Sequence, residues 1–329
     1  MVTKNNRYKF VYSPFFLGLY SLFFLVTSLY LSSNIYSPPR DFQISVLTGF
    51  IDTQYLSCTI SVLITLAITG LTAAIIYILN YRYFNTGKSS SVLVFLYLIF
   101  LLSSPKTIFF TGNTIAAPLF LLSLFFTFGS TNEHINIFYS GTLISIATLF
   151  DFHLFILIPF IIYYSLIKSS FSFRSIIMFL SAIILPYLFV FSIRYILFED
   201  ASLFAQIIWS NITSISAPHL NIDSVANVCL ISFSLFIFYR AISSITNTLS
   251  NLKSIKANAL IRFIITALAL AAIMLLNRDI QGEFMTLLAI PISYILNEYL
   301  ASKNTDKNKR GEFLVLLIIL ALTRITEFM

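Results

Sequence analysis

Long apolar runs with few charged residues recur along the chain and constrain this sequence more than any other feature. A helix needs about 20 residues to cross the hydrocarbon core of a membrane, and its buried backbone groups must pair within their own segment. Ser13–Ser33 and Leu56–Asn80 have this length and do not alternate apolar with polar residues, as the strands of a membrane barrel would. Only 10% of the residues are charged, against about 25% in soluble domains. The sequence therefore predicts an all-α protein, a polytopic transmembrane helix bundle.

Eleven spans are predicted, and together they leave one integral membrane domain over residues 1–329 with no separate soluble part. The middle four are short, so that compensating errors there would leave nine crossings instead of eleven. The predicted spans are Ser13–Ser33, Leu56–Asn80, Ser91–Ser103, Thr114–Gly129, Ile137–Phe150, Leu154–Ile167, Ser175–Phe198, Ser224–Ala241, Ala259–Asn277, Phe284–Ala301 and Phe313–Phe328.

The distribution of basic residues orients these spans. With the N-terminus in the cytoplasm, 15 of the 20 Lys and Arg residues fall on the inner side. Because Lys and Arg accumulate in cytoplasmic loops, this orientation is favoured. The net charge of +7 is then explained by loops that face anionic membrane lipids, and no nucleic-acid partner is expected. We expect a multi-pass protein of a bacterial inner membrane.

Known catalytic and metal-binding motifs are missing from the sequence. It has no phosphate-binding glycine loop, no HExxH or GxSxG motif, and no His and Cys cluster with metal spacing. We expect no metal and no cofactor. Any chemistry must therefore come from carboxylates, arginines and histidines contributed by different helices.

The first outer loop presents a carboxylate at a defined place. Pro38 and Pro39 stiffen the chain after the first span and are followed by Arg40 and Asp41. One interpretation is an interfacial ion pair or a solvated turn. The other is that Asp41 acts as a general base beside a substrate that is held at the lipid boundary.

Asp151 and His153 flank Phe152 in the middle of an apolar stretch. Ionisable groups inside a membrane protein are costly and usually face the interior of the bundle. The pair is either the solvated tip of a helix hairpin or part of the lining of a substrate cavity beneath the first outer loop.

Further outer residues are candidates for substrate binding. Arg194, Arg278 and Lys106 could each hold a phosphate group, since a guanidinium binds two oxygens at once. Arg194 could instead reach the headgroups, and Arg278 could pair with Asp279 on its short turn.

Trp209 and His219 lie on the longest outer loop. Trp209 is either a membrane anchor or a surface for substrate stacking, and His219 is a further candidate contact on the same loop.

This layout resembles the polytopic glycosyltransferases of the GT-C type. The residues that carry the resemblance are Asp41 on the first outer loop and the turn Leu149–Leu154, with sequence LFDFHL, before an apolar helix. The chain is also similar to an uncharacterised group of bacterial membrane proteins of about this length. The GT-C resemblance implies sugar transfer from a polyprenyl-phosphate donor, with Asp41 as base and Arg278, Arg194 or Lys106 at the donor phosphate. Arg40 stands where that family often has a second acid.

Two other functions remain open from the sequence. The chain could be a non-catalytic scaffold, or a component that binds a lipid-linked molecule in an envelope complex with other proteins. It could also be a transporter, although nine glycines give little of the helix interruption that transporters show.

Overall fold

The described part of the chain is built from helices joined by short turns. The computed structural model describes residues 13–34, 57–84, 87–128, 133–167, 172–198, 225–249, 254–276, 284–301 and 307–326, with Gln206, Trp209 and Leu252 as single positions. Within them there are eleven α-helices and no strand. The helices are α1 Pro14–Asn34, α2 Cys58–Phe84, α3 Gly87–Leu101, α4 Gly112–Phe126, α5 Glu133–Phe150, α6 Ile158–Leu166, α7 Phe173–Phe198, α8 Val225–Thr248, α9 Ser254–Leu276, α10 Met285–Ala301 and α11 Lys307–Thr326.

These bounds agree with the predicted spans to within five residues except in three places, one of which is the start of α11 at Lys307 instead of Phe313. Leu154–Ile167 was predicted as one helix, but its first part belongs to a 3₁₀ helix, Phe152–Leu157, and α6 begins only at Ile158. α8 continues past the predicted end at Ala241 to Thr248. A second 3₁₀ helix, Pro105–Ile108, precedes α4. The all-α prediction is confirmed for the described residues.

Three of the described helices are long and apolar enough to cross a membrane. The qualifying stretches are Thr59–Phe84, Phe173–Ile196 and Ser254–Met274. On α7 the large apolar side chains of Leu188, Phe189 and Ile196 are exposed. Since soluble proteins rarely leave such a surface in water, the helices indicate a membrane protein. The number of crossings and the orientation stay predictions.

α4, α5 and α7 form a closely packed group. Ser123 of α4 and Ser140 of α5 each donate a hydroxyl hydrogen bond to the other's carbonyl oxygen, at 3.0 and 3.1 Å. The Ser145 hydroxyl of α5 donates a hydrogen bond to the Ile183 carbonyl oxygen of α7, at 2.6 Å. Small residues and hydroxyls at such contacts let helix backbones approach closely, as they do in membrane bundles.

The two ends of α4 define the two ends of this array. Gly112, at the start of α4, lies against Phe150 at the end of α5, so the two helices are antiparallel. We call the end of the array that contains Gly112 and Phe150 the Asp151 end. The opposite end, where α4 stops at Phe126, we call the Arg262 end.

Aromatic packing fills the Arg262 end. The rings of Phe263 (α9) and Tyr294 (α10) stack at 4.3 Å with an angle of 6° between them. Phe125 lies 6.0 Å from Phe263 and 5.9 Å from Tyr294. These rings belong to the main hydrophobic core, and they join α4, α9 and α10.

Charged side chains cluster on α8 and α11. Arg240 of α8 and Glu312 of α11 form an ion pair at 2.5 Å, and Tyr299 of α10 donates to the second oxygen of Glu312 at 2.8 Å. α11 also meets α1, where the Tyr20 hydroxyl donates to the carbonyl oxygen of Leu317. The last helices are therefore tied to the rest by polar contacts as well as by packing.

Candidate functional site

The close approach of α4 and α5 places two helix ends side by side. A Cβ atom built on Gly112 would lie less than 3.0 Å from the Phe150 carbonyl oxygen, a distance that real Cβ atoms do not reach. Only glycine allows this contact between the two backbones. Thr111 caps α4, and Thr111 and Thr114 form a capping box through their side chains and backbone N–H groups. Asn113 is therefore the residue after one contact point, Gly112, and Asp151 is the residue after the other, Phe150.

Asp151 and His153 form a buried carboxylate–imidazole pair. His153 Nδ1 lies 2.9 Å from Asp151 Oδ1, and the same oxygen accepts the His153 backbone N–H at 3.0 Å. Asp151 is 7% exposed and His153 is 6% exposed. Asp151 is also the N-cap of the 3₁₀ helix Phe152–Leu157. The interpretation as a solvated hairpin tip is therefore wrong, because both side chains are buried.

Two oxygen atoms at this end are buried and have no hydrogen-bond partner among the described residues. They are Oδ2 of Asp151 and Oδ1 of Asn113, whose side chain is 5% exposed. Leaving a buried polar atom unpaired costs about 1–3 kcal/mol, more for a charged group. Such groups call for an explanation, which includes a catalytic or binding role. Both oxygens are acceptors, so the surroundings suit a ligand that donates hydrogen bonds.

Neighbouring polar contacts fix the backbone around these atoms. Phe110 donates its backbone N–H to Ser61 Oγ of α2 at 2.9 Å, and Thr107 donates its hydroxyl to the Leu101 carbonyl oxygen at 2.8 Å. On the other side, Thr148 and Tyr187 of α7 share a hydrogen bond of 2.9 Å between their hydroxyls. The start of α4 and the end of α5 are thus held from both sides.

Three more of the sequence-predicted site residues lie within the described part of the chain. Arg194 lies on α7 two turns beyond Tyr187, at the Asp151 end, and it is half-buried. Lys106 lies on the 3₁₀ helix Pro105–Ile108 near the start of α4, with an exposed side chain. Trp209 is 68% exposed, which fits the interpretation as an anchor better than substrate stacking inside a pocket.

The remaining predicted residues lie outside the described part of the chain. They are Arg40, Asp41, His219, Arg278 and Asp279. Their assignments stay predictions. Within the described residues, no group of three or more His, Cys, Asp or Glu side chains could hold a metal ion.

Comparison with protein families places the chain in one of them. Residues 8–328, almost the whole length, match a family described as "Family of unknown function (DUF6427)". The chain belongs to this family. No curated protein and no solved structure matches the chain. The GT-C resemblance therefore remains a prediction.

Sequence reasoning missed Asn113 and its neighbours. Thr111, Gly112, Asn113 and Thr114 form a short polar run inside an apolar region, and none of them carries an ionisable group. Because Ser, Thr, Asn and Gly mark helix starts, this run did signal the beginning of α4. No sequence signal gave its contact with Phe150, which depends on how α4 and α5 pack.

Proposed function

We propose that this protein is a GT-C-like membrane transferase that moves a sugar from a polyprenyl-phosphate donor to a glycan or lipid acceptor. The reaction would take place on the outer side of a bacterial inner membrane, at the Asp151 end. The observation that carries the proposal is that two buried acceptor oxygens, Asp151 Oδ2 and Asn113 Oδ1, have no hydrogen-bond partner in the described part of the chain.

A sugar matches these oxygens chemically. Its hydroxyl groups are hydrogen-bond donors, and two of them can pair with two separate acceptors. A site built to receive hydroxyls also discriminates against molecules that lack them, because its buried polar atoms would then stay unpaired. The unpaired oxygens would thereby contribute to specificity for a sugar.

The Asp151–His153 pair fits a positioning and proton-handling role. The carboxylate accepts from Nδ1 at 2.9 Å and from the His153 backbone, so that the imidazole is held in one orientation. This leaves Nε2 as the ring nitrogen that can exchange a proton with a ligand hydroxyl. The buried position keeps bulk water away from that exchange.

The bond changes follow from the resemblance. Asp41 takes the proton of an acceptor hydroxyl, and the oxygen attacks the anomeric carbon of the donor sugar. The bond from that carbon to the phosphate oxygen breaks, and polyprenyl phosphate leaves with the electron pair. Arg278, Arg194 or Lys106 would stabilise its negative charge, an effect commonly worth a few kcal/mol for each donor.

The decisive experiment compares Asp41→Asn with Asp52→Asn, a carboxylate in the same stretch between α1 and α2. Membranes holding each full-length variant are given labelled polyprenyl-phosphate-glucose or polyprenyl-phosphate-mannose, and label in the acceptor fraction is measured. We expect Asp41→Asn to lose at least about 100-fold in transfer and Asp52→Asn to retain it. Equal transfer by Asp41→Asn at normal expression would refute the catalytic role.

One observation favours a second candidate, a non-catalytic component that binds a lipid-linked molecule. Asp151 Oδ1 already has a structural task, since it caps the 3₁₀ helix through the His153 N–H. If this is the whole role of Asp151, Asp151→Asn should weaken folding in proportion to any loss of function. Loss of transfer by Asp151→Asn with unchanged thermal stability would favour the enzyme.

A further inference from the structure

Arg262 is a buried arginine at the end of the helix array opposite Asp151. It lies on α9 and is 6% exposed. Its Nη1 donates to the carbonyl oxygen and to Oγ1 of Thr127, the C-cap of α4, both at 2.8 Å. Its guanidinium carbon lies over the rings of Phe128 and Tyr164, 5.3 Å from each centroid.

One edge of the Arg262 guanidinium is left without a protein partner in the described chain. The group carries five N–H donors, and the two on Nη1 are directed to Thr127. Nε and Nη2 hold the other three and make no hydrogen bond to a described residue. No described carboxylate forms an ion pair with Arg262 either. The Nε–Nη2 edge presents two parallel N–H bonds, the arrangement that pairs with two oxygens of a phosphate.

A role as helix cap does not account for this arrangement. Capping α4 through Thr127 uses Nη1 alone, whereas burying a positive charge without a described carboxylate partner is expensive. A neutral or smaller donor would serve the cap at lower cost. Tyr164 adds a second observation, because its hydroxyl is buried beside the guanidinium and has no hydrogen-bond partner among the residues that the structure describes. Both groups can donate hydrogen bonds.

The position of these residues leaves them within reach of a ligand. Thr127 directly follows α4, and Tyr164 lies two residues before the end of α6. The guanidinium is therefore close to the level at which two helices end. The length of α4, about 22 Å for its 15 residues, separates it from Asp151.

We propose that Arg262 and Tyr164 form a binding site for a phosphate group at this end of the protein. Nε and Nη2 of Arg262 bind two phosphate oxygens, and the Tyr164 hydroxyl donates to the same group. This site is distinct from the sugar-transfer site proposed above and does not depend on it. The phosphate belongs either to the headgroup of an anionic lipid or to a soluble phosphate compound.

The test measures ligand-dependent thermal stability of the purified full-length protein in detergent. Three probes are titrated separately: phosphatidylglycerol, inorganic phosphate and uncharged diacylglycerol. Anything that binds only the folded state raises the unfolding temperature in a concentration-dependent way. We expect phosphatidylglycerol, inorganic phosphate or both to stabilise the wild type, and diacylglycerol to have no effect.

Three variants connect that binding to Arg262. Arg262→Gln should lower the apparent affinity about ten-fold or more, since hydrogen bonds between charged groups are lost. Arg262→Lys keeps the charge and a donor for Thr127 but loses the parallel edge, and should bind several-fold more weakly. Arg82→Gln is the matched control, because Arg82 is an exposed arginine near the same end, beside the Tyr83 ring that packs 5.5 Å from Phe125. It should bind as the wild type does.

Each outcome decides the proposal. Stabilisation by phosphatidylglycerol alone identifies a lipid headgroup as the source, and stabilisation by inorganic phosphate alone identifies a soluble compound. If no phosphate probe stabilises the wild type, or if Arg262→Lys and Arg82→Gln bind equally well, Arg262 is only a helix cap and the proposal is overturned. The wild-type measurement and Arg262→Lys answer the question even if Arg262→Gln does not fold.

Discussion

Replacing Gly112 with alanine tests the contact on which the candidate site depends. A Cβ atom at this position would lie less than 3.0 Å from the Phe150 carbonyl oxygen and 3.1 Å from its carbonyl carbon. Both are backbone atoms, so no side chain can rotate away, and the start of α4 must move from the end of α5. Overpacking of this kind costs about 1–3 kcal/mol.

A matched control separates this clash from the general effect of glycine in a helix. Gly70 lies inside α2, and a Cβ atom there has no neighbour within 4 Å. Gly70→Ala should therefore stabilise the protein by about 0.5–1 kcal/mol, because glycine is unfavourable within a helix. Gly141→Ala is intermediate, since its Cβ atom would lie 2.9 Å from Ala182 Cβ and 3.3 Å from the Phe179 carbonyl oxygen, which is a less severe overlap than the one at Gly112.

The assay is thermal unfolding of the purified full-length variants in one detergent. We expect the unfolding temperatures to fall in the order Gly70→Ala, Gly141→Ala, Gly112→Ala. The first and last should differ by about 1.5–4 kcal/mol. If Gly112→Ala were as stable as Gly70→Ala, α4 and α5 would not be in the described contact, and the placement of Asn113 beside Asp151 would be refuted.

Two further changes test the packing away from this site. Ser123→Ala removes the hydroxyl donated to the Ser140 carbonyl oxygen and should destabilise by about 0.6 kcal/mol, the average for hydrogen bonds between membrane helices; a loss above that of Gly112→Ala would contradict this. Glu312→Gln weakens the contacts to Arg240 and Tyr299, and because Arg240 is partly exposed the loss should be about 1 kcal/mol or less. The double variant with Arg240→Gln should lose less than the sum of the two single changes, as a double-mutant cycle would show.

The helices themselves could be predicted from the sequence because their signal is local. The runs that became α1, α2 and α7 are apolar on all sides, so length and composition suffice to identify them. The turn at Asp151 was also visible, since charged residues interrupt an apolar stretch. The 3₁₀ form of Phe152–Leu157 was not, because the Asp151 cap on the His153 N–H is a matter of local geometry that hydropathy does not record.

Composition and the order of residues thus determined that this chain is helical and suited to a membrane, and they selected Asp151 and His153 as candidates. Only the tertiary structure decided that these two side chains are buried and that Asn113 follows a glycine in contact with the residue before Asp151. It also decided that the Nε–Nη2 edge of Arg262, beside Tyr164, has no hydrogen-bond partner among the described residues. The physical reason is that apolar character is carried by each segment alone. Whether a polar atom has a partner depends on which helices meet, and residues 112 and 150 or 127 and 262 become neighbours only when the helices pack.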